Sequence, residues 1–201
     1  MLPLYDKKKI KDSFPLATAF LIVSNTIFFL CTVSNLNHFI DFFGFTSERL
    51  WDGRFFTIFT SMFLHGNVWH LILNMWFLWV FGDNLESRLG KVKFIAFYII
   101  CGIGGAILYA LAMSDPSQAV IGASGAISGV LGGYLVLFPK NKIRIFLFFC
   151  VASIPAVIYI FIWFLLQLFS TSAIDTSVSY FSHIGGFVTG MLFVKMFKKG
   201  R

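Results

Sequence analysis

Gly122-Ala123-Ser124-Gly125-Ala126-Ile127-Ser128-Gly129-Val130-Leu131-Gly132-Gly133-Tyr134-Leu135-Val136-Leu137-Phe138, closed by Pro139-Lys140-Asn141-Lys142, is the stretch on which the fold turns. From Ser124 to Phe138 it is uncharged and rich in small residues, and Gly125, Gly129 and Gly133 recur every four positions. That spacing puts the glycines on one helix face, where backbones can approach closely in lipid. Fifteen residues span about 22 Å at helical rise, short of the roughly 30 Å of a hydrocarbon core. Lys140 and Lys142 hold one end at a surface. Ser124, at the other end, is then expected below the opposite surface. The stretch Ser114 to Ala123 descends to meet it, as irregular backbone that must be buried in protein or wetted.

Outward from this segment the chain keeps the same character. Of its 201 residues 58% are hydrophobic and 12% charged, against roughly a quarter charged in soluble domains, which leaves too little polar surface to face water on every side. Apolar runs of spanning length fall at 14–33, 68–82, 94–113, 124–138, 143–169 and 178–194. The net charge of +7 points at first to nucleic acid, but its placement excludes that reading. Lys7, Lys8, Lys9, Lys11, Arg88, Lys91, Lys93, Lys140, Lys142, Arg144, Lys195, Lys198, Lys199 and Arg201 all lie in alternate connections or at the termini, while the other side holds only Arg49 and Arg54. By the positive-inside rule this gives an all-α polytopic membrane protein of six transmembrane helices, the fourth of them short, with both termini cytoplasmic.

The basic start followed by an apolar run reads as a retained first span, because no small-x-small cleavage site follows it. One membrane domain over 1–201 is expected. It has a cytoplasmic tail at 1–13, an outer connection at 34–67, and a second tail at 195–201. The outer connection is aromatic (Phe39, Phe42, Phe43, Phe45, Trp51, Phe55, Phe56, Phe59 and Phe63) and reads as short amphipathic pieces lying in the interface. Cys31, Cys101 and Cys150 fall in the apolar runs without paired spacing and read as packing residues.

Polar groups inside spans are costly and are functional candidates by default. Ser124 opens the fourth span, His183 lies about one and a half turns into the sixth, and His70 and Asn74 share a face of the second. These even-numbered spans run in the same direction, and the sites lie near their outer ends, so topology sets all four groups at similar depth. Gly186 and Gly190 give the sixth span a small face matching that of the fourth. A hydroxyl within reach of an imidazole is an activated nucleophile, with the histidine as general base and acid. The Ser124 backbone N–H, unpaired at a helix start, together with His70 and Asn74, then supplies the donors an oxyanion needs. Asp175 is the nearest outer acid in sequence to His183 but falls in the loop, so the arrangement reads as a Ser-His dyad. Alone, Ser124 reads as a helix N-cap, His183 as a hydrogen-bonded bundle residue, and His65 as a loop or interface residue. Glu86 reads as a structural partner for Arg88 or for exposed backbone.

These residues resemble the rhomboid intramembrane serine proteases. The likeness rests on Gly122-Ala123-Ser124-Gly125, on His183 followed by Gly185-Gly186, and on His65, His70 and Asn74 in the family's His-x4-His-x3-Asn pattern. Phe81-Gly82, Glu86, Leu89-Gly90, Phe94, Tyr98, Gly102 and Gly105 extend it over roughly residues 53–190. The resemblance implies that Ser124 is the nucleophile, His183 the base, and His70, Asn74 and the Ser124 N–H the oxyanion hole. Gly122, Gly125, Gly186 and Glu86 are expected to support the site. It also implies transmembrane protein substrates cut near their outer boundary, no cofactor and no metal. A multi-pass location is expected, in a bacterial inner membrane by the compactness of the chain, with the site open to the outer side. Many members carry Trp-Arg upstream of the Thr aligned with Thr60, where this chain reads Phe56-Thr57. Many also place an aromatic residue four after the nucleophile, where this chain has Ser128. The alternative reading is a non-catalytic relative that binds transmembrane helices. A zinc protease wants His-Glu-x-x-His, an aspartyl protease two acids within spans, and a transporter repeated halves or charged pathways. The chain has none of these.

Overall fold

A computed structural model describes residues 2–6, 14–113, 115–147, 150–170 and 179–198, the side chains of 168–170 excepted. Lys7, Lys8, Lys9, Lys11, Lys199 and Arg201 of the charge pattern, Asp175 and Ser114 lie outside the described residues. Helices dominate: α1 (Leu16–Thr32), α2 (Leu36–Phe43), α3 (Ser47–Trp51), α4 (Thr57–Thr60), α5 (Val68–Leu89), α6 (Lys91–Ala112), α7 (Ser124–Leu137), α8 (Ala156–Ser170) and α9 (Tyr180–Phe197). Strands β1 (Leu2–Asp6), β2 (Lys142–Leu147) and β3 (Cys150–Pro155) form one antiparallel sheet in the order β1-β2-β3. Among the described residues, the stretch Leu16–Phe43 and the helix Lys91–Ala112 are long and apolar enough to cross a bilayer, and Ser124–Leu137 and Ala156–Gln167 are shorter apolar helices.

The sheet corrects the all-α expectation, and it divides the run 143–169. Residues 142–155 pair as a hairpin, Lys142 opposite Pro155 and Leu147 opposite Cys150, and the helix begins only at Ala156. The physical cause is local. Ile143, Ile145, Val151 and Ile154 are β-branched and favour strand, and Ile143 and Ile145 alternate into the core with the more exposed Lys142, Arg144 and Phe146. Pro155 then disfavours helix in the residue before it. Hydropathy averaging joins hairpin to helix because both are apolar. Cys150 accordingly lies exposed in β3, and Cys101 is the buried cysteine.

Within the stretch expected as an N-terminal tail, residues 2–6 add β1 to the edge of β2. Asp6 is held there by three donors, the side chains of Asn84, Tyr134 and Asn141, which tie the strand to α5, α7 and the turn before β2. The same need for partners explains why α5 runs on to Leu89 instead of ending near 82. Its polar last turns are satisfied: Asn84 meets Asp6, and Glu86 caps α1. The Glu86 carboxylate accepts from Ala17 N–H (3.0 Å), Thr18 N–H (2.8 Å) and the Thr18 hydroxyl (2.9 Å). Pro15 precedes α1 and makes no side-chain cap, so Glu86 both satisfies orphan N–H groups and sets negative charge at a helix N-terminus. Of the two partners expected for Glu86, backbone is the one found and not Arg88, and that backbone is buried at the start of α1. Glu86→Leu should lower stability by about 2–3 kcal/mol through the unpaired donors, read as a drop in thermal unfolding temperature in detergent. Glu86→Gln should cost less. An unfolding temperature for Glu86→Leu equal to that of the wild type would remove this role.

The centre is a three-helix contact of α6, α7 and α9 made by backbone. A Cβ on Gly186 would collide with the Gly125 carbonyl, one on Gly190 with the Gly129 carbonyl, and one on Gly132 with the Phe187 carbonyl. Gly105 faces the Ser182 carbonyl of α9, where a Cβ would stand 2.6 Å away. The small faces legible on α7 and α9 do meet, and α6 joins them through Gly104 and Gly105. The aromatic connection at 34–67 folds as α2, α3 and α4, with Phe42, Trp51, Phe55, Phe56 and Phe59 exposed.

Candidate active site

Ser124 is the first residue of α7, and it arrives there by a constrained path. Val120 bridges Phe45, the Gly122 N–H donates to the Ser61 carbonyl at 2.9 Å, and Gly122 has φ +117°. A side chain at Gly122 would be strained by that φ, and its Cβ would stand 2.7 Å from His70 Nε2. Glycine is therefore required by the backbone and by the approach of the imidazole. Because Ser124 opens α7, its N–H has no intrahelical partner.

His183 lies one turn into α9, beside the glycine contact that brings α9 against α7. Its Nε2 stands 2.8 Å from Ser124 Oγ. Gly125 and Gly186 hold this spacing: the space beside Gly125 is filled by the Ser182 hydroxyl, 2.6 Å from where its Cβ would be, and Gly186 faces the Gly125 carbonyl.

On the far side of the ring, His183 Nδ1 lies 2.7 Å from Gln167 Oε1 on α8. An amide oxygen only accepts, so Nδ1 carries the hydrogen and Nε2 presents its lone pair to the Ser124 hydroxyl. Trp163 and Tyr180 flank the imidazole, with ring centroids at 6.4 and 6.3 Å. Ser128, four residues after Ser124, turns its hydroxyl back to the Ser124 carbonyl at 2.7 Å.

His70 and Asn74 line the same cavity, of about 770 Å³, with Ser124 and His183. Asn67 caps α5 by accepting from the His70 N–H at 2.9 Å. The Gly66 N–H donates to His70 Nδ1 at 3.4 Å, which leaves Nε2 as the protonated nitrogen, directed at Gly122. Asn74 gives one amide hydrogen to the His70 carbonyl at 3.0 Å and keeps a second. The four groups that the sequence leads one to expect at similar depth are gathered round one cavity. The described residues that line it carry no carboxylate, lysine or arginine, while apolar walls come from Trp69, Leu73, Phe77, Ile127 and Leu131.

Sequence reasoning missed three features. Gln167 is the polar residue of the face Tyr159-Trp163-Gln167 on α8, and the cost of polar groups in apolar helices was the signal for it. His65, read as a loop residue, is fully buried, its ring 5.1 Å from that of His70 and nearly edge-on. Arg49 secures the connection at 34–67 by donating to the carbonyls of Ile40 (2.9 Å) and Gly44 (2.7 Å), and Arg54 reaches the Phe42 carbonyl at 3.2 Å. These two arginines anchor the segment in which Phe56-Thr57 replaces Trp-Arg.

Burial, and then the neighbouring His70, push His65 down to about 4. Its folded value is below the ordinary 6.5, so its contribution to stability is full above about pH 6.5 and is lost as pH falls toward 4. Between pH 7 and pH 5 this group alone should cost about 2 kcal/mol. Unfolding in detergent at the two pH values, with His65→Phe beside wild type, checks it. An equally steep loss in the variant would assign the titration elsewhere.

Among the described residues no three His, Cys, Asp or Glu side chains cluster as metal ligands. Residues 52–200 match the family model described as the Rhomboid domain. The chain is 35% identical over 148 residues to the mitochondrial Rhomboid protein 1 of Saccharomyces cerevisiae, covering 68% of this chain and 40% of that one. It is 30% identical over 175 residues to the Rhomboid protease GluP of Bacillus subtilis, covering 85% and 32%. Against Rhomboid-like protease 3 of Toxoplasma gondii it is 29% identical over 158 residues, covering 78% and 55%. The matched part of the chain therefore spans between about a third and just over half of these relatives.

Proposed function

The chain belongs to the rhomboid family of integral membrane proteins, and on that footing we propose that it is an intramembrane serine endopeptidase. The observation that carries this reading is the 2.8 Å approach of Ser124 Oγ to His183 Nε2 at the edge of a cavity that also holds His70 and Asn74. The Bacillus subtilis and Toxoplasma gondii relatives are named as proteases, which supports the same reading.

In this mechanism Ser124 Oγ attacks the scissile carbonyl carbon while His183 Nε2 takes the hydroxyl proton. The carbonyl oxygen becomes the oxyanion and accepts from the Ser124 N–H, His70 Nε2–H and the second Asn74 hydrogen. One such donor is worth about 3–4 kcal/mol to the transition state. Collapse breaks the C–N bond, and His183 gives its proton to the departing amine. Water then attacks the acyl-serine ester, with His183 again as base, and releases the carboxylate and Ser124.

The substrates of this reading are transmembrane proteins. Helices α1, α5, α6, α7, α8 and α9 cross the bilayer, with both termini on the cytoplasmic side and the cavity opening to the outer side. The relatives include mitochondrial, plant and bacterial proteins, so family membership says integral membrane and not which membrane.

The test is cleavage of a single-pass substrate by purified protein in liposomes, with fragments identified by mass spectrometry and Ser124 probed by a fluorophosphonate. Cleavage that survives metal chelators, with label on Ser124, is the expected result. Retention of the substrate without cleavage or label would favour a helix-binding relative without activity.

A further inference from the structure

Ser124 and His183 account for one side of the imidazole, and the other side is occupied by a residue to which the chemistry above gives no part. We infer that Gln167 is the positioning residue of the site, fixing the tautomer and orientation of His183 as the third member of a Ser124–His183–Gln167 relay. This rests on the protease reading and deepens it.

Three observations carry it. First, Gln167 Oε1 lies 2.7 Å from His183 Nδ1 while Nε2 lies 2.8 Å from Ser124 Oγ, so both ring nitrogens are engaged, on opposite sides. A neutral imidazole with Nδ1–H held by an acceptor has its lone pair on Nε2, which is the state a base needs. A flip about χ2 would break both bonds at once. Second, no other described group is placed to hold Nδ1. Ser128 spends its hydroxyl on the Ser124 carbonyl, and the rings of Trp163 and Tyr180 stand at more than 6 Å between centroids. The titratable groups lining the cavity are His70 from α5, Tyr109 from α6 and Tyr180 from α9 itself, and α7 brings Ser124. Among these described residues no carboxylate competes for Nδ1. Third, Gln167 is placed for the role by its helix. Tyr159 and Ile160, near the start of α8, are buried and fix its lower end, and Trp163 and Gln167 follow Tyr159 on the same face at intervals of one turn.

A carboxamide suits an apolar site better than a carboxylate. It accepts the Nδ1 hydrogen without the desolvation cost of a buried charge. In this role Gln167 touches neither substrate nor the reacting atoms; it acts through His183.

The experiment measures kcat and KM for a transmembrane substrate in liposomes, the rate of fluorophosphonate labelling of Ser124, and the pH profile of kcat/KM. It compares wild type, Gln167→Met, Gln167→Glu and Ser124→Ala. Methionine keeps the length and removes the acceptor. It should lower kcat and the labelling rate together by about 10- to 100-fold, a milder form of the tautomer loss known for serine triads, with KM within about twofold. Glutamate keeps the acceptor and adds charge, so it should restore turnover at alkaline pH and move the acidic limb of the profile to higher pH. A residue that merely packs α8 would change the unfolding temperature and leave that limb in place. Wild-type kcat and labelling in Gln167→Met, or an unmoved limb in Gln167→Glu, would overturn the relay while an inactive Ser124→Ala kept the protease reading intact. Absence of both cleavage and labelling in wild type would overturn the two together.

Discussion

Ser124→Ala and His183→Ala should each lower kcat by roughly 10⁴- to 10⁶-fold, and the double variant should be no worse than either alone. The two groups act as one unit. Without the Ser124 hydroxyl there is nothing for the imidazole to deprotonate, and without the imidazole the hydroxyl is a poor nucleophile. The described lining residues carry no carboxylate or lysine, so no neighbour among them can stand in for His183. His70 is turned the wrong way for that task, its Nδ1 accepting from Gly66 and its Nε2–H facing Gly122. Single-turnover cleavage in liposomes, from a host lacking membrane proteases, checks the three proteins. Residual cleavage of a few per cent in Ser124→Ala, or strictly multiplicative losses in the double variant, would rule the unit out. His70→Ala and Asn74→Ala should fall between these and wild type, at about 10²- to 10³-fold, because each removes one oxyanion donor and leaves the nucleophile active.

The parts of this arrangement that were legible in the sequence share a physical trait: each is written in spacing or in the cost of burying a polar group. Gly125, Gly129 and Gly133, with Gly186 and Gly190, announce a helix contact because lipid offers no other reason for such a stripe. Ser124, His70, Asn74 and His183 stand out because polar atoms in apolar helices need a purpose. The parts that were not legible involve partners distant in sequence. Glu86 lies 69 positions from Ala17, yet its carboxylate caps α1, and no local pattern reveals this. Asp6 draws β1 onto β2 through Asn84, Tyr134 and Asn141, residues scattered over three elements. The hairpin of β2 and β3 was hidden for a different reason. Ile143, Ile145, Val151 and Ile154 are apolar enough to pass as helix in any hydropathy window, and only their branching and Pro155 mark them as strand. Gln167 obeys the same rule that exposed Ser124, as the polar residue of an apolar helix face.

Gly190→Val and Gly186→Val should be the most damaging substitutions outside the reacting groups, and they separate packing from chemistry. At both positions the space beside the α-carbon is occupied by a carbonyl of α7, that of Gly129 against Gly190 and that of Gly125 against Gly186. A carbonyl in a continuous helix cannot rotate aside as a side chain can, so a Cβ is accommodated only by moving α9 away from α7. Overpacking of this kind costs about 1–3 kcal/mol and sometimes more, so alanine should lower the unfolding temperature and valine should lower it further. The consequence for the site follows from distance. His183 is three residues from Gly186 on α9, and Ser124 adjoins Gly125 on α7, so a gap opened at Gly186 opens between Nε2 and Oγ. A shift of about 1 Å breaks a 2.8 Å hydrogen bond, and misplacement on that scale costs about 10²-fold in rate. Gly190 lies one turn further from the chemistry, so its variants should lose comparable stability but less activity at temperatures where they remain folded. Unfolding temperature in detergent and Ser124 labelling, measured on the alanine and valine variants of both glycines, separate the two effects. If Gly190→Val kept the wild-type unfolding temperature, the contact of α7 and α9 would not be set by backbone against backbone. If Gly186→Ala stayed folded with full labelling, the glycine contact would hold the fold without holding Ser124 to His183.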